Sequence, residues 1–235
     1  MALHHPDPFA AIAAGLPPGL PGEALERPYP RHLVTTLRLP DRTPVLVRPI
    51  APGDRRSHWR FMRGLSLQTR YQRLMSPRCL LPGELRRMVE IDYRREMALV
   101  ALVPAASPTT SPHPALRGPA DGHPPSVEVA VARYVLGEDG DSAEFAIVVT
   151  DAWQRRGIGR RLLERLAAVA SNAGVRELGG ITLATNTPMI RLARRLGFSV
   201  APEPGDWTVK RLRRLVGQPD GAVGGSATTQ VATAQ

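Results

Sequence analysis

The residues best placed to do chemistry are Gln154-Arg155-Arg156-Gly157-Ile158-Gly159, between the apolar run Phe145 to Val149 and an amphipathic segment that reaches Ala173. Backbone N–H groups at a helix start lack intrahelical acceptors, and the aligned peptide dipoles put partial positive charge there. Glycine at Gly157 and Gly159 lets an anion reach those amides without Cβ obstruction, while Arg155, Arg156, Arg160 and Arg161 add full charges. This spacing suits a pyrophosphate.

A glycine turn before a helix is shared by several nucleotide-binding folds, so the rest of the pattern decides among them. Leu162 stands where the third glycine of a dinucleotide fingerprint would be, and no Gly-Lys-Ser/Thr of a triphosphate loop follows. The element order also argues against a doubly wound fold, because two antiparallel strands and three helical segments precede the turn.

The elements that must position this turn can be read along the chain. Met1 to Pro30 holds seven prolines and no sustained apolar period, which predicts a disordered N-terminal segment, residues 1–31. His4 and His5 there lack the partners of a metal site. Leu33, Thr35, Leu37 and Leu39 alternate as a strand does, and Val45 to Val47 across a turn completes a hairpin. Helices are expected at Asp54 to Leu67, with Trp59, Met62 and Leu65 at helical spacing, at Thr69 to Met75, and at Pro82 to Ile91 with Leu85, Met88 and Val89 on one face. Met97 to Val103 reads as a strand.

Seven prolines among the 23 residues from Pro104 to Ser126 predict a surface insertion at 104–126. A hairpin, Val127 to Leu136 and Ser142 to Thr150, then leads into the basic turn. Ile158, Leu162, Leu163, Leu166, Val169 and Ala170 form one helical stripe that ends at Gly174. A strand at Ile181 to Ala184 and a helix opened by Thr187-Pro188 and stopped by Gly197 follow. Strands at Phe198 to Val200 and Trp207 to Leu212 close a domain spanning 32–215, and the small polar residues of 216–235 predict a disordered tail.

Composition narrows the class. A chain of 235 residues with 43% hydrophobic and 22% charged residues can bury one sizeable core. Net charge +10, nearly all arginine, predicts affinity for an anion, whether nucleic acid, a membrane surface or a polyanionic cofactor; Lys210 is the single lysine. One cysteine, Cys79, excludes a disulfide framework and a thiolate metal cluster, and it reads as a half-buried small residue. With no apolar stretch long enough to span a bilayer, the expectation is a cytoplasmic protein with no membrane partner.

The turn Gln154 to Gly159 resembles the acyl-CoA pyrophosphate loop of the GNAT N-acetyltransferase superfamily, and Asn186 to Phe198 resembles its next motif. Arg48-Pro49-Ile50, Leu65-Ser66, Thr69-Arg70-Tyr71 and Ile91-Asp92-Tyr93 look like the GNAT domain of bacterial protein lysine acetyltransferases. The resemblance covers roughly His32 to Leu215. It implies an α/β GNAT fold, a mixed and mostly antiparallel sheet flanked by helices. The strand Ala143 to Thr150, fourth in the family's count, splays from the fifth, Gly180 to Ala184.

It further implies acetyl-CoA as co-substrate and no metal. Backbone amides of Gln154, Arg155, Arg156, Gly157, Ile158, Gly159 and also Arg160 would hold the pyrophosphate. Backbone groups of Ile147, Val148 and Val149 would pair with pantetheine, and Asn186 would lie near the thioester. Nucleic acid ranks below acyl-CoA as the anion.

Acetyl transfer to a lysine needs a base, because freeing an ε-amine at neutral pH costs roughly 4 to 5 kcal/mol, from an ordinary pKa near 10.4. Glu144, within an apolar strand where desolvation would raise its pKa, matches the catalytic glutamate of the Ala-Glu-Phe-Ala segment in the resembled enzymes; Glu128 is held in reserve. Many superfamily members use a tyrosine beyond the asparagine motif as general acid, but none lies beyond Asn186 here, and Tyr134 is not assigned the role. The acceptor stays open between a protein lysine and a small-molecule amine, and a non-catalytic acyl-CoA-binding module is a further alternative.

Overall fold

The computed structural model describes residues 28–75, 81–105 and 126–217. Most of the proline-rich N-terminal stretch, Cys79, the body of the 104–126 insertion and most of the C-terminal tail lie outside the described residues.

One sheet of eight strands organises those residues. In chain order they are β1 (Thr35–Arg38), β2 (Pro44–Pro49), β3 (Glu96–Pro104), β4 (Ser126–Leu136), β5 (Ser142–Val149), β6 (Glu177–Leu183), β7 (Ser199–Glu203) and β8 (Asp206–Leu215). Their spatial order is β1-β2-β3-β4-β5-β6-β8-β7, and every neighbouring pair is antiparallel except β5 with β6. The helices are α1 (Arg55–Arg63), α2 (Leu67–Leu74), α3 (Pro82–Val89), α4 (Ile158–Asn172) and α5 (Thr187–Arg195).

Both faces of the sheet are covered. Met97, Leu99, Ala101 and Val103 of β3 join the core beneath α4 and α5, while Ala98, Val100 and Leu102 join a second core beneath α1 and α3. A strand buried on both faces reads as an unbroken apolar run, which is why Met97 to Val103 lacks alternation. The stripe expected on α4 packs as expected, with Ile158, Leu162, Leu163, Leu166 and Ala170 buried. Described chain packs on the domain at both of its margins. The Tyr29 hydroxyl donates to the Pro49 carbonyl at 2.9 Å, and Val216 is buried in the larger core.

The helical layer departs from the periodicity reading. α1 stops at Arg63, the chain turns through Gly64 to Ser66, and the Ser66 hydroxyl caps α2 by accepting from Thr69 N at 3.2 Å. Trp59 is 41% exposed beneath the Arg63 guanidinium, which lies 4.7 Å from the ring centroid. His58 takes the inward position instead, hydrogen-bonded through Nδ1 to Glu128 Oε1 at 2.8 Å. The apolar-spacing argument fails here because a polar group on β4 supplies the buried partner.

The expected splay is present. β5 and β6 pair only at Ser142–Glu177, Ala143–Leu178 and Glu144–Gly179, and then diverge, each kept in place by its other neighbour. Gly180 sits at the fork, where an added Cβ would come within 3.0 Å of both the Phe145 ring and its carbonyl oxygen. The aromatic ring that fills the fork therefore requires glycine there.

Candidate active site

The fork opens into a cavity of about 770 Å³. Strand alternation sends Phe145, Ile147 and Val149 toward α4 and α5, and Glu144, Ala146 and Val148 toward the opposite face, where α2 contributes Thr69, Gln72 and Arg73. Since all of these line one cavity, it reaches both faces of the sheet.

On the α4 side, the turn after β5 begins with a single 3₁₀ turn, Asp151–Trp153, followed by extended backbone at Gln154. Arg155 (φ 59°) and Gly157 (φ 85°) both adopt left-handed backbone, which is uncommon for the arginine and natural for the glycine. Gly157 caps α4 with no side-chain hydrogen bond, and no acidic residue stands in the first turn. The first amides of α4 are thus left for an external acceptor. An added Cβ at Gly159 would meet nothing nearer than Val149 Cγ2 at 3.5 Å, so packing alone does not require glycine there. Its bare backbone faces the cavity.

Of the residues read from the sequence, Glu144, Ile147, Val148, Val149, Gln154, Arg155, Gly157, Gly159, Arg160 and Asn186 line this one cavity. Ile158 does not; its side chain is buried in the core under α4. Arg156 also turns away, its guanidinium 4.7 Å from the Trp153 ring centroid and 3.6 Å from Asp41. Asn186 is the cap of α5, accepting from Met189 N at 3.2 Å and donating through Nδ2 to Thr182 Oγ1 at 3.1 Å.

On the α2 side, Glu144 occupies the last paired position before the strands part. Burial pushes its carboxyl above the usual carboxylate range, and the positive charge of Arg73 opposes that rise. Arg73 is itself buried, and desolvation together with repulsion from Arg133 lowers its pKa to about 9 against the attraction of Glu144. Glu128, the reserve base, lies outside this cavity and is buried against His58, where desolvation raises its pKa. Tyr134 is also outside it, buried in the core with its pKa raised to about 12 by burial.

Sequence reasoning missed Arg73, Thr69 and Asp151. Thr69 and Asp151 hydrogen-bond at 2.8 Å across 82 positions of sequence. The Ser66-x-x-Thr69 spacing signals a helix start, but nothing local points to a carboxylate so far along the chain.

Among the described residues no group of three or more His, Cys, Asp or Glu is placed to hold a metal, and no helix is long and apolar enough to cross a membrane. The family model described as acetyltransferase (GNAT) matches residues 121–198. An acetyltransferase of Pseudomonas aeruginosa is 30% identical over 72% of this chain and 83% of its own length. The crystal structure of the GNAT domain of S. lividans PAT superposes with a TM-score of 0.65 at 27% identity, over 80% of this chain and 99% of that domain. The structure of yncA from Salmonella typhimurium with its cofactor acetyl-CoA has a TM-score of 0.53 at 17% identity, over 78% of this chain and 98% of the other, a likeness of fold alone. With a relative this similar over most of both chains, and with the splayed sheet and glycine turn in place, the chain belongs to the GNAT family of acetyltransferases.

Proposed function

We propose that the protein transfers acetyl from acetyl-CoA directly to the ε-amine of a protein lysine, with Glu144 as general base. The observation that carries this reading is the cavity that reaches both sheet faces, with a bare helix N-terminus on one side and a half-buried carboxylate on the other. The pyrophosphate would lie on the first amides of α4, with Arg155 and Arg160 beside it. Pantetheine would follow β5, which has no strand pairing to β6 beyond Glu144.

An acceptor entering from the α2 side meets Glu144. The ammonium gives its proton to the Glu144 carboxylate, and the amine nitrogen attacks the thioester carbonyl carbon. As the C–S bond breaks, the second N–H proton of the tetrahedral adduct passes to solvent or to the departing sulfur, giving the amide and CoA, with the first proton on Glu144. Burial makes Glu144 a stronger base than an ordinary carboxylate, and Arg73 keeps it in the ionised form that can accept the proton. A backbone N–H of β5 at the fork could stabilise the oxyanion. Among the described residues no tyrosine lines the cavity, and a thiolate, with an ordinary pKa near 8.5, can leave unaided or take up the proton released by the nitrogen, directly or through water.

A lysine acceptor is supported by the likeness to the S. lividans PAT domain and by the sequence motifs shared with protein lysine acetyltransferases. The experiment is mass spectrometry of candidate proteins incubated with the enzyme and acetyl-CoA, alongside a panel of polyamines and aminoglycosides. Acetyl-lysine in a protein is the expected product. Acetylation of small amines with no modified protein would overturn the lysine reading.

A further inference from the structure

Four side chains bind the two walls of the cavity together. The Asp151 carboxylate accepts through Oδ1 from Ser66 Oγ and from Thr69 Oγ1, each at 2.8 Å, and through Oδ2 from Ser66 N at 3.3 Å. Thr69 Oγ1 in turn accepts from Gln154 Nε2 at 3.2 Å, and the same amide donates to the Val149 carbonyl at 3.1 Å. Ser66 caps α2 and Thr69 lies in its first turn, whereas Asp151 and Gln154 belong to the segment entering the glycine turn. Thr69, Asp151 and Gln154 all line the cavity.

We infer that Asp151 is a positioning residue that ties α2 to the glycine turn, so that a pyrophosphate held by Gln154 to Arg160 also fixes the wall that meets the acceptor. The inference rests on the cofactor-binding reading of that turn. α2 has eight residues, too few to be stable through its own hydrogen bonds, so its placement depends on what its ends are tied to. A carboxylate at its N-terminus complements the helix dipole as well as the orphan amides. Burial opposes ionisation of Asp151, but the hydrogen bonds from Thr69 and Ser66 prevail and hold its carboxyl below the usual range.

On its other side, Asp151 opens the 3₁₀ turn that leads into Arg155, a non-glycine residue at positive φ. Such backbone persists where its surroundings over-determine it, and an anion on the adjacent amides would add to that constraint. Ordering the turn then orders Gln154 and Asp151, and through them Thr69, Gln72 and Arg73.

The test is backbone hydrogen exchange of the full chain with and without saturating acetyl-CoA, read together with steady-state kinetics. In the wild type, acetyl-CoA should slow exchange in both 154–160 and α2, by about tenfold or more in α2. In Asp151→Ala, protection of 154–160 should persist while that of α2 falls to less than about twofold, and KM for the acceptor should rise about tenfold with KM for acetyl-CoA within about twofold. Asp151→Asn keeps one acceptor oxygen for Ser66 and Thr69 and should restore part of the coupling.

Should the alanine variant fail to fold, Thr69→Val removes two of the bonds at nearly constant volume and should give the same split in weaker form. Protection of α2 that persists in Asp151→Ala or Thr69→Val, or protection of 154–160 in the wild type without any in α2, overturns the inference. Absence of protection in 154–160 itself would instead overturn the cofactor-site reading, and the inference with it.

Discussion

The two walls of the cavity are built in different ways. The α4 wall centres on one short stretch, Arg155 to Arg160, whose contribution is largely main-chain: bare amides, a glycine at positive φ, and a second glycine that packing does not require, with the α5 cap Asn186 and Met189 of α5 beside it. The α2 wall is made of side chains from distant parts of the chain; Arg73 and Glu144 are 71 positions apart. A polyanionic cofactor can be recognised by repeated backbone dipoles, whereas moving one proton needs one carboxylate of the right basicity at one place. Substitutions on the first wall should therefore weaken binding, and those on the second should change the chemical step.

The largest effect is expected from Gly159→Glu, which puts a carboxylate among the amides proposed to hold the pyrophosphate. Calorimetry should show the Kd for acetyl-CoA rising by about two orders of magnitude or more, equivalent to ~3 kcal/mol. Stability should not follow. The new Cβ meets only ordinary contacts at 3.5 Å, and a glutamate in the first turn of a helix favours the dipole by about 0.3–1 kcal/mol. Thermal unfolding of the variant should match or exceed the wild type, and an unchanged Kd would remove the α4 wall from the binding site.

The complementary variant is Glu144→Gln, for which kcat at neutral pH should fall by about 10²–10⁴ while KM for acetyl-CoA stays within about twofold. The pH dependence carries the sign. Burial raises the Glu144 pKa, and activity requires the ionised form, so wild-type kcat/KM should climb through a limb above the ordinary carboxylate range. Glu144→Gln should lose that limb and gain activity only as the free amine becomes populated at high pH.

Arg73→Met tests the same wall more finely. Arg73 favours ionised Glu144, so its removal should move the limb upward in pH, with neutral-pH activity reduced severalfold and regained on the alkaline side. Arg73→Lys should keep the limb near its wild-type place. A limb that does not move in Arg73→Met would separate the two residues.

The contrast between the walls also explains what could be read before the structure. The glycine turn, the α4 stripe and the hairpin before it were legible because each is governed by neighbours within a few residues: turn backbone, helical period, strand alternation. The splay was legible only through resemblance to the family, since nothing in the composition of β5 or β6 says where their pairing ends. Trp59 was misplaced because the inward position of α1 belongs to His58, whose partner Glu128 is 70 residues away. Glu128 lies outside the cavity, held by that pairing with His58. Thr69, Arg73 and Asp151 escaped for the same reason, as each acquires its role through a contact more than 70 positions distant.

The smallest expected effect separates position from composition within the basic turn itself. Arg155, Arg156 and Arg160 are equivalent as charges in the sequence, but only Arg155 and Arg160 line the cavity. Arg156 stacks on Trp153 and faces Asp41 across 3.6 Å of exposed surface, a pairing of the kind that contributes little in water. Arg155→Ala and Arg160→Ala should each raise the Kd for acetyl-CoA by roughly three- to tenfold, through lost charge-assisted contacts to phosphate. Arg156→Ala should leave it within about twofold at the same ionic strength. Equal losses in all three would mean that the turn attracts the cofactor as a diffuse positive field, with the directed backbone amides of α4 contributing less than their geometry implies; unequal losses in this order would assign recognition to the wall itself.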